Sequence, residues 1–170
     1  MKKLVYFCIP DRWPIPWIEL EKVQCLGALE ILHVSCTDIS DLKPSMLANF
    51  PKLRCLVIRW GDGFSVASVR ARSQCSKLKV FGICCELEEP AVIALVDTLS
   101  TRLIKLAVRS VPEECVEVIA KQFKKLTHIW LGPEFCALYI EELCRMSSTS
   151  VLCPSEWEGD GFRYLPASGE

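Results

Sequence analysis

The sequence predicts an α/β fold in which strands and returning helices alternate and stack into a right-handed solenoid. Three observations carry that expectation. The pattern Leu-x-x-Leu-x-Leu, with other apolar residues allowed, begins at Leu4, Leu29, Leu53, Leu78, Leu103 and Leu126, at spacings of 25, 24, 25, 25 and 23 residues. Self-similarity at so regular an interval marks a repeat architecture, because a core of unrelated elements has no reason to keep a period. Each interval also leaves room for one loop and one helix between strands, and apolar residues make up 51% of the 170, enough for a continuous core.

The first unit has ladder residues Leu4, Phe7 and Ile9, with a return over Pro14 to Leu26 that is helical from Pro16 through Trp17, Leu20 and Val23. The second has Leu29, Leu32 and Val34, a loop from Ser35 to Ser40 and a return from Asp41 to Asn49. In the third, Leu53, Leu56 and Ile58 precede the turn Gly61-Asp62-Gly63 and a short helix over Val66 to Ser73. The fourth, Leu78, Phe81 and Ile83, leads to a stronger helix. Pro90 suits its first turn, Glu88 and Glu89 complement its positive end, and Val92, Leu95, Val96 and Leu99 form the apolar face. The fifth, Leu103, Leu106 and Val108, is followed by a helix opening at Pro112-Glu113-Glu114 and presenting Val116, Val118, Ile119 and Phe123. The sixth, Leu126, Ile129 and Leu131, precedes a helix over Phe135 to Met146, and a degenerate seventh strand is expected at Val151-Leu152-Cys153. The expected division is thus a repeat domain over 1–153 and a C-terminal cap and tail over 154–170.

One such unit cannot bury its own apolar face, so the units must stack. The period and pattern are those of leucine-rich repeats, and the expected form is a right-handed leucine-rich-repeat solenoid, a βα horseshoe arc with parallel strands on the concave face and helices on the convex face.

Twenty basic and 21 acidic residues leave a net charge of −1, which gives no global attraction to nucleic acid or anionic lipid. Locally, Lys43, Lys52, Arg54, Arg59, Arg70, Arg72, Lys77 and Lys79 share their span with the single acid Asp62, a basic waist that reads either as a solvated face or as a match for an acidic partner. The apolar run after Met1-Lys2-Lys3 is short and ends at Pro10-Asp11-Arg12 with no small-residue cleavage site, and no stretch approaches a membrane span. Eleven cysteines with no Cys-x-x-Cys pair argue against a disulfide framework or a structural zinc site, and the expected location is cytoplasmic or nuclear.

At the approach to several strands a further pattern recurs: Phe50-Pro51-Lys52-Leu53, Cys75-Ser76-Lys77-Leu78 and Phe123-Lys124-Lys125-Leu126. Together with Val34-Ser35-Cys36-Thr37-Asp38-Ile39 it resembles the cysteine-containing repeat class of F-box/LRR proteins over residues 1 to about 153. The residues at the ninth repeat position, where that class carries cysteine, are Arg12, Thr37, Gly61, Glu86, Val111 and Glu134, with Cys36 and Cys85 one place early. The resemblance implies the substrate-recognition repeat region of a ubiquitin-ligase receptor, without the F-box, which would meet ligase components through a module outside this sequence.

Residues alternating with the ladder project from the concave face. Its expected protein-binding set is Tyr6, Ile31, His33, Val57, Arg59, Trp60, Lys105, Arg109, His128 and Trp130, since aromatic and arginine side chains anchor protein interfaces. Its competitor is a face covered by the protein's own tail. His33 and His128 lie four strand steps of about 4.8 Å apart and cannot share a metal. His33 is near Cys8 and Cys55, but no orienting acid or oxyanion site accompanies them. Cys84 and Cys85 should point to opposite faces, and Gly61-Asp62-Gly63 and Gly159-Asp160-Gly161 lack calcium-loop spacing. No catalytic residue, metal or cofactor is expected. The alternatives are a repeat domain of an immune-type receptor or inhibitor that grips a globular protein, and a cysteine-dependent enzyme built on Cys55 and His33.

Overall fold

The computed structural model describes residues 5–8, 26–35, 49–59, 66–71, 75–131 and 150–152. Seven strands form one sheet: β1 Tyr6–Cys8, β2 Ile31–Ser35, β3 Cys55–Arg59, β4 Val80–Glu86, β5 Lys105–Ser110, β6 His128–Leu131 and β7 Ser150–Leu152. Their order in space is their order in sequence, and every pairing is parallel. Three α-helices are described, α1 Val66–Ala71, α2 Glu89–Leu99 and α3 Glu113–Gln122, with a 3-10 turn over Leu26–Ala28. The molecule is therefore an α/β protein with an all-parallel sheet. Parallel neighbours require a crossover, and α1, α2 and α3 each lie in one.

Register follows the sequence period. Tyr6, Ile31, Cys55, Val80, Lys105, His128 and Ser150 lie side by side, each opposite the same position of the next unit. The joint between units is also repeated. The carbonyl of Val5 accepts the amides of Glu30 and Ile31, that of Glu30 those of Arg54 and Cys55, and that of Arg54 those of Lys79 and Val80. Lys79 does the same for Ile104 and Lys105, and Ile104 for Thr127 and His128, over distances of 2.8 to 3.3 Å. Both lone pairs of each carbonyl are thereby used, and no slip of one residue is possible without losing them.

The ladder residues fill the space between sheet and helices. Leu32, Leu53, Leu56, Ile58, Leu78, Phe81, Ile83, Leu103, Leu106 and Val108 are all fully buried. They share one cluster with Val69 of α1, Leu95 of α2 and Ile119 of α3, so the described helices lie on a single face of the sheet. Each such side chain stabilises by roughly 1.5–3 kcal/mol. Phe50, Cys75 and Phe123 are buried at the approach to their strands, where their carbonyls accept the amides of Leu53, Leu78 and Leu126 and close the same turn.

Helix α2 has Pro90 in its first turn beside Glu89 and buries Ala91, Val92, Ala94, Leu95, Val96 and Leu99. At 11 residues with several β-branched members it has little stability alone, so packing holds it. Helix α3 begins after Pro112 and departs from expectation: Cys115, Val116 and Ile119 face the core, while Val118 is exposed. The spacing 115, 116, 119, 123 fits one face of a 3.6-residue helix, and position 118 does not. Helix α1 occupies the expected place over Val66–Ala71, and the last two residues of the expected span lie outside the described residues. The seventh strand begins one residue before the expected start, with Val151 opposite Ile129, and Cys153 lies outside the described residues. A bulge between Ile83 and Glu86 sets Cys84 and Cys85 against the one residue Arg109. Leu4, the returns expected within 14–25, 41–48 and 135–146, both Gly-Asp-Gly turns and the segment 154–170 lie outside the described residues.

This packing predicts that Leu106→Ala lowers the unfolding free energy by about 2–5 kcal/mol and Leu106→Asp prevents folding, whereas Lys77→Ala changes it by less than about 0.5 kcal/mol. Urea titrations followed by circular dichroism measure all three.

Candidate binding face

The opposite side of the sheet carries a second, smaller cluster. Cys55, Val57 and Ala107 are buried there, with Ile31, Val80, Cys84 and Trp130 packed against them, and no described helix contributes. Strand alternation accounts for the division, because positions 4 and 6 of each unit point to the helices while positions 3, 5 and 7 point away. Cys84 joins this cluster and Cys85 the helix-side core, as expected for neighbours in a strand.

At one end of this face Tyr6, 51% exposed, meets the His33 ring edge-on with centroids 5.7 Å apart. At the other end His128 and Trp130, two residues apart in β6, stack at 5.6 Å with an interplanar angle of 16°. Such pairs favour a fixed mutual orientation of the rings. Thr127 Oγ1 lies 2.8 Å from Nδ1 of His128, and Lys105 is the register partner of His128 on β5. Partial burial, with the Lys105 ammonium added to it, holds the His128 pKa below its ordinary value, so the ring is neutral near pH 7. Lys105 and Arg109, four residues apart in β5, are both half-buried on the same face.

The expected contact residues therefore divide. Tyr6, Ile31, His33, Lys105, Arg109, His128 and Trp130 are partly or largely accessible on the face to which no described helix contributes. Val57 is not. It is 0% exposed, packed into the floor of the face, and its part is to hold the sheet surface together rather than to touch a partner. Arg59 is in β3 with its backbone opposite Ser35, but its side chain, like all of Trp60, lies outside the described residues. Cys55 and Ala107 complete the floor. The signal for them was present in the alternation, as small side chains at the third and fifth positions of central strands.

The two histidines are on β2 and β6 with three strands between, and cannot act together. His33 does meet Cys55, Nε2 to Sγ at 3.6 Å. Burial pushes the Cys55 thiol up to about 12, and the opposing influence of Lys105 does not restore it. At neutral pH the contact is between an uncharged thiol and an imidazole, without the thiolate that cysteine catalysis uses. Among the described residues no three of His, Cys, Asp or Glu gather as metal ligands, no helix is long and apolar enough to cross a membrane, and Cys55 and Cys115 are not in disulfides. No protein-family model matches the chain, and no curated protein matches it.

Two outcomes follow. Raised thiol values mean the folded state keeps protons that the unfolded chain releases, so stability is full below the ordinary value of 9.0 and falls as pH rises from there towards about 12. Cys55→Ala reduces this alkaline loss without abolishing it, because Cys115 is raised in the same sense by burial and by Glu89 and Glu114. Urea unfolding of both proteins at about pH 8 and about pH 10 measures the difference. In the native protein iodoacetamide at neutral pH leaves Cys55 unmodified, as mass spectrometry of the digest would show; rapid, selective alkylation would instead establish a reactive thiolate.

Proposed function

We propose that this chain is a leucine-rich-repeat scaffold for protein recognition, with the side of the sheet opposite the described helices as the concave surface of a right-handed solenoid. Within that reading it is the substrate-recognition region of an F-box/LRR-type ubiquitin-ligase receptor, and it works by binding rather than by chemistry.

The observation that carries the reading is the one-unit register. It sets chemically varied side chains, Tyr6, Ile31, Lys105 and His128 in one row and His33 and Trp130 in the next, at equal steps on one face. Rigid aromatic rings around an apolar floor, with Lys105 and Arg109 beside them, have the composition of interface anchors. A neutral Cys55 thiol favours recognition over cysteine chemistry. The assignment to a ligase receptor rests on the resemblance carried by the Phe50-Pro51-Lys52-Leu53 type of strand approach and by Val34-Ser35-Cys36-Thr37-Asp38-Ile39.

The test is affinity capture with the wild-type chain beside Tyr6→Ala/Trp130→Ala, with circular dichroism showing that both are folded. The expected result is a set of proteins retained by the first and lost by the second, with ubiquitin-ligase components or their substrates among them. Equal capture by both would remove the face from consideration. A set without ligase connections would leave the scaffold and overturn its assignment.

A further inference from the structure

The two edges of the sheet carry opposite charge. Where strands β4 and β5 end and helices α2 and α3 begin stand Glu86, Glu88, Glu89, Glu113 and Glu114. Where the chain returns and strands begin stand Lys52, Arg54, Lys77, Lys79, Arg102 and Lys125, in four successive units. The acids have a structural explanation, since carboxylates next to a helix N-terminus offset its partial positive charge. Of the bases, Arg102 has such a role, its guanidinium bonding the Thr98 carbonyl in the last turn of α2, whereas Arg54 and Lys79 precede strands and Lys52 follows no described helix.

The positions of these bases are set by the repeat. Lys52, Lys77 and Lys125 occupy the same place in the same turn, the one closed from Leu53 to Phe50, from Leu78 to Cys75 and from Leu126 to Phe123. All three are exposed. Arg102 precedes Leu103 in the remaining unit, where its own amide and that of Leu103 both reach the Leu99 carbonyl, and its guanidinium donates to the Thr98 carbonyl. Arg54 and Lys79 stand beside them as backbone-bonded neighbours at the joint between units. Among the described residues the acids on this side are Glu30, 3.9 Å from Arg54 with both side chains near half-exposed, and Asp97 in the last turn of α2, so the described bases outnumber them.

We infer that this basic edge is a second interaction surface, which takes an extended, Glu- or Asp-rich segment of a protein. Three strand steps of about 4.8 Å carry the lysine row over roughly 14 Å, the length of about four residues of extended chain. Flexible lysine stems reach carboxylates along such a segment without a fixed register. Nucleic acid fits the edge less well. Phe50 and Phe123, the aromatic residues of these turns, are buried, so bases have nothing to stack on, and a long polyanion would meet the glutamates of the other edge. A bilayer would need large exposed apolar side chains among the lysines, and in these turns Phe50, Phe123 and the leucines are buried, with Pro51 alone of the apolar residues exposed.

Fluorescence anisotropy with a labelled peptide of alternating Glu and Ser, at roughly 150 mM salt, tests the inference. Two variants carry the same change in net charge: Lys52→Gln/Lys77→Gln/Lys125→Gln on the edge, and Ala67→Glu/Ile93→Glu/Val118→Glu on exposed helix positions. The wild type is expected to bind, the edge variant to lose about tenfold in affinity, and the helix variant less than about threefold. Trp130→Ala should leave peptide binding unchanged, so this edge and the aromatic face are read separately. No binding by the wild type, or equal loss in both charge variants, would overturn the inference. So would tighter binding through the same lysines of an oligouridine or of phosphatidylserine vesicles.

Discussion

The structure depends on one shared hydrogen-bond acceptor, repeated at each joint between the first six strands. The second residue of a unit offers its carbonyl to two successive amides of the next, as Arg54 does to Lys79 and Val80. This fixes the register before the strand begins. From there a leucine row is brought to one side of the sheet, and the residues between leucines are brought to the other in matching rows. A single local constraint thus produces both the core and the candidate binding face.

Division of labour between the faces follows from that constraint. On the helix side, energy comes from burying large aliphatic residues against α1, α2 and α3, and the sequence repeats them with little variation. On the other side the floor is made of small or β-branched residues, Cys55, Val57 and Ala107, so larger rings and cations at the ends of the face stand above it. The Cys55 thiol shows how the floor excludes charge. Burial keeps it neutral next to His33, and a contact with the outline of a catalytic pair becomes part of the packing.

The sheet and its strand positions were legible in the sequence because a period near 25 residues and a Leu-x-x-Leu-x-Leu pattern are both consequences of stacking identical units. Helix α2 was legible from Pro90 and its apolar spacing. Helix α3 was partly misread, because Val118 looks like core by composition, whereas Cys115, which is core, was left out of the expected apolar face. Periodicity rather than hydrophobicity decides between them. The bulge at Cys84 and Cys85 gave no warning, as neither glycine nor proline marks the extra residue. Val57 shows the limit of alternation as a guide to a site: it names the side of the sheet, not whether neighbouring residues leave the side chain accessible. The basic edge was visible only as a run of charges in the sequence, and became a row when the repeat aligned its turns.

Amide hydrogen exchange, resolved by residue, tests the central claim most directly. If the shared carbonyls join successive units, the amides of Arg54, Lys79, Ile104 and Thr127 are protected together and are released by one common unfolding event, although their side chains lie at or near the surface. Exchange of those four amides at the rate of an unstructured chain, while the amides inside α2 stay protected, would contradict the account.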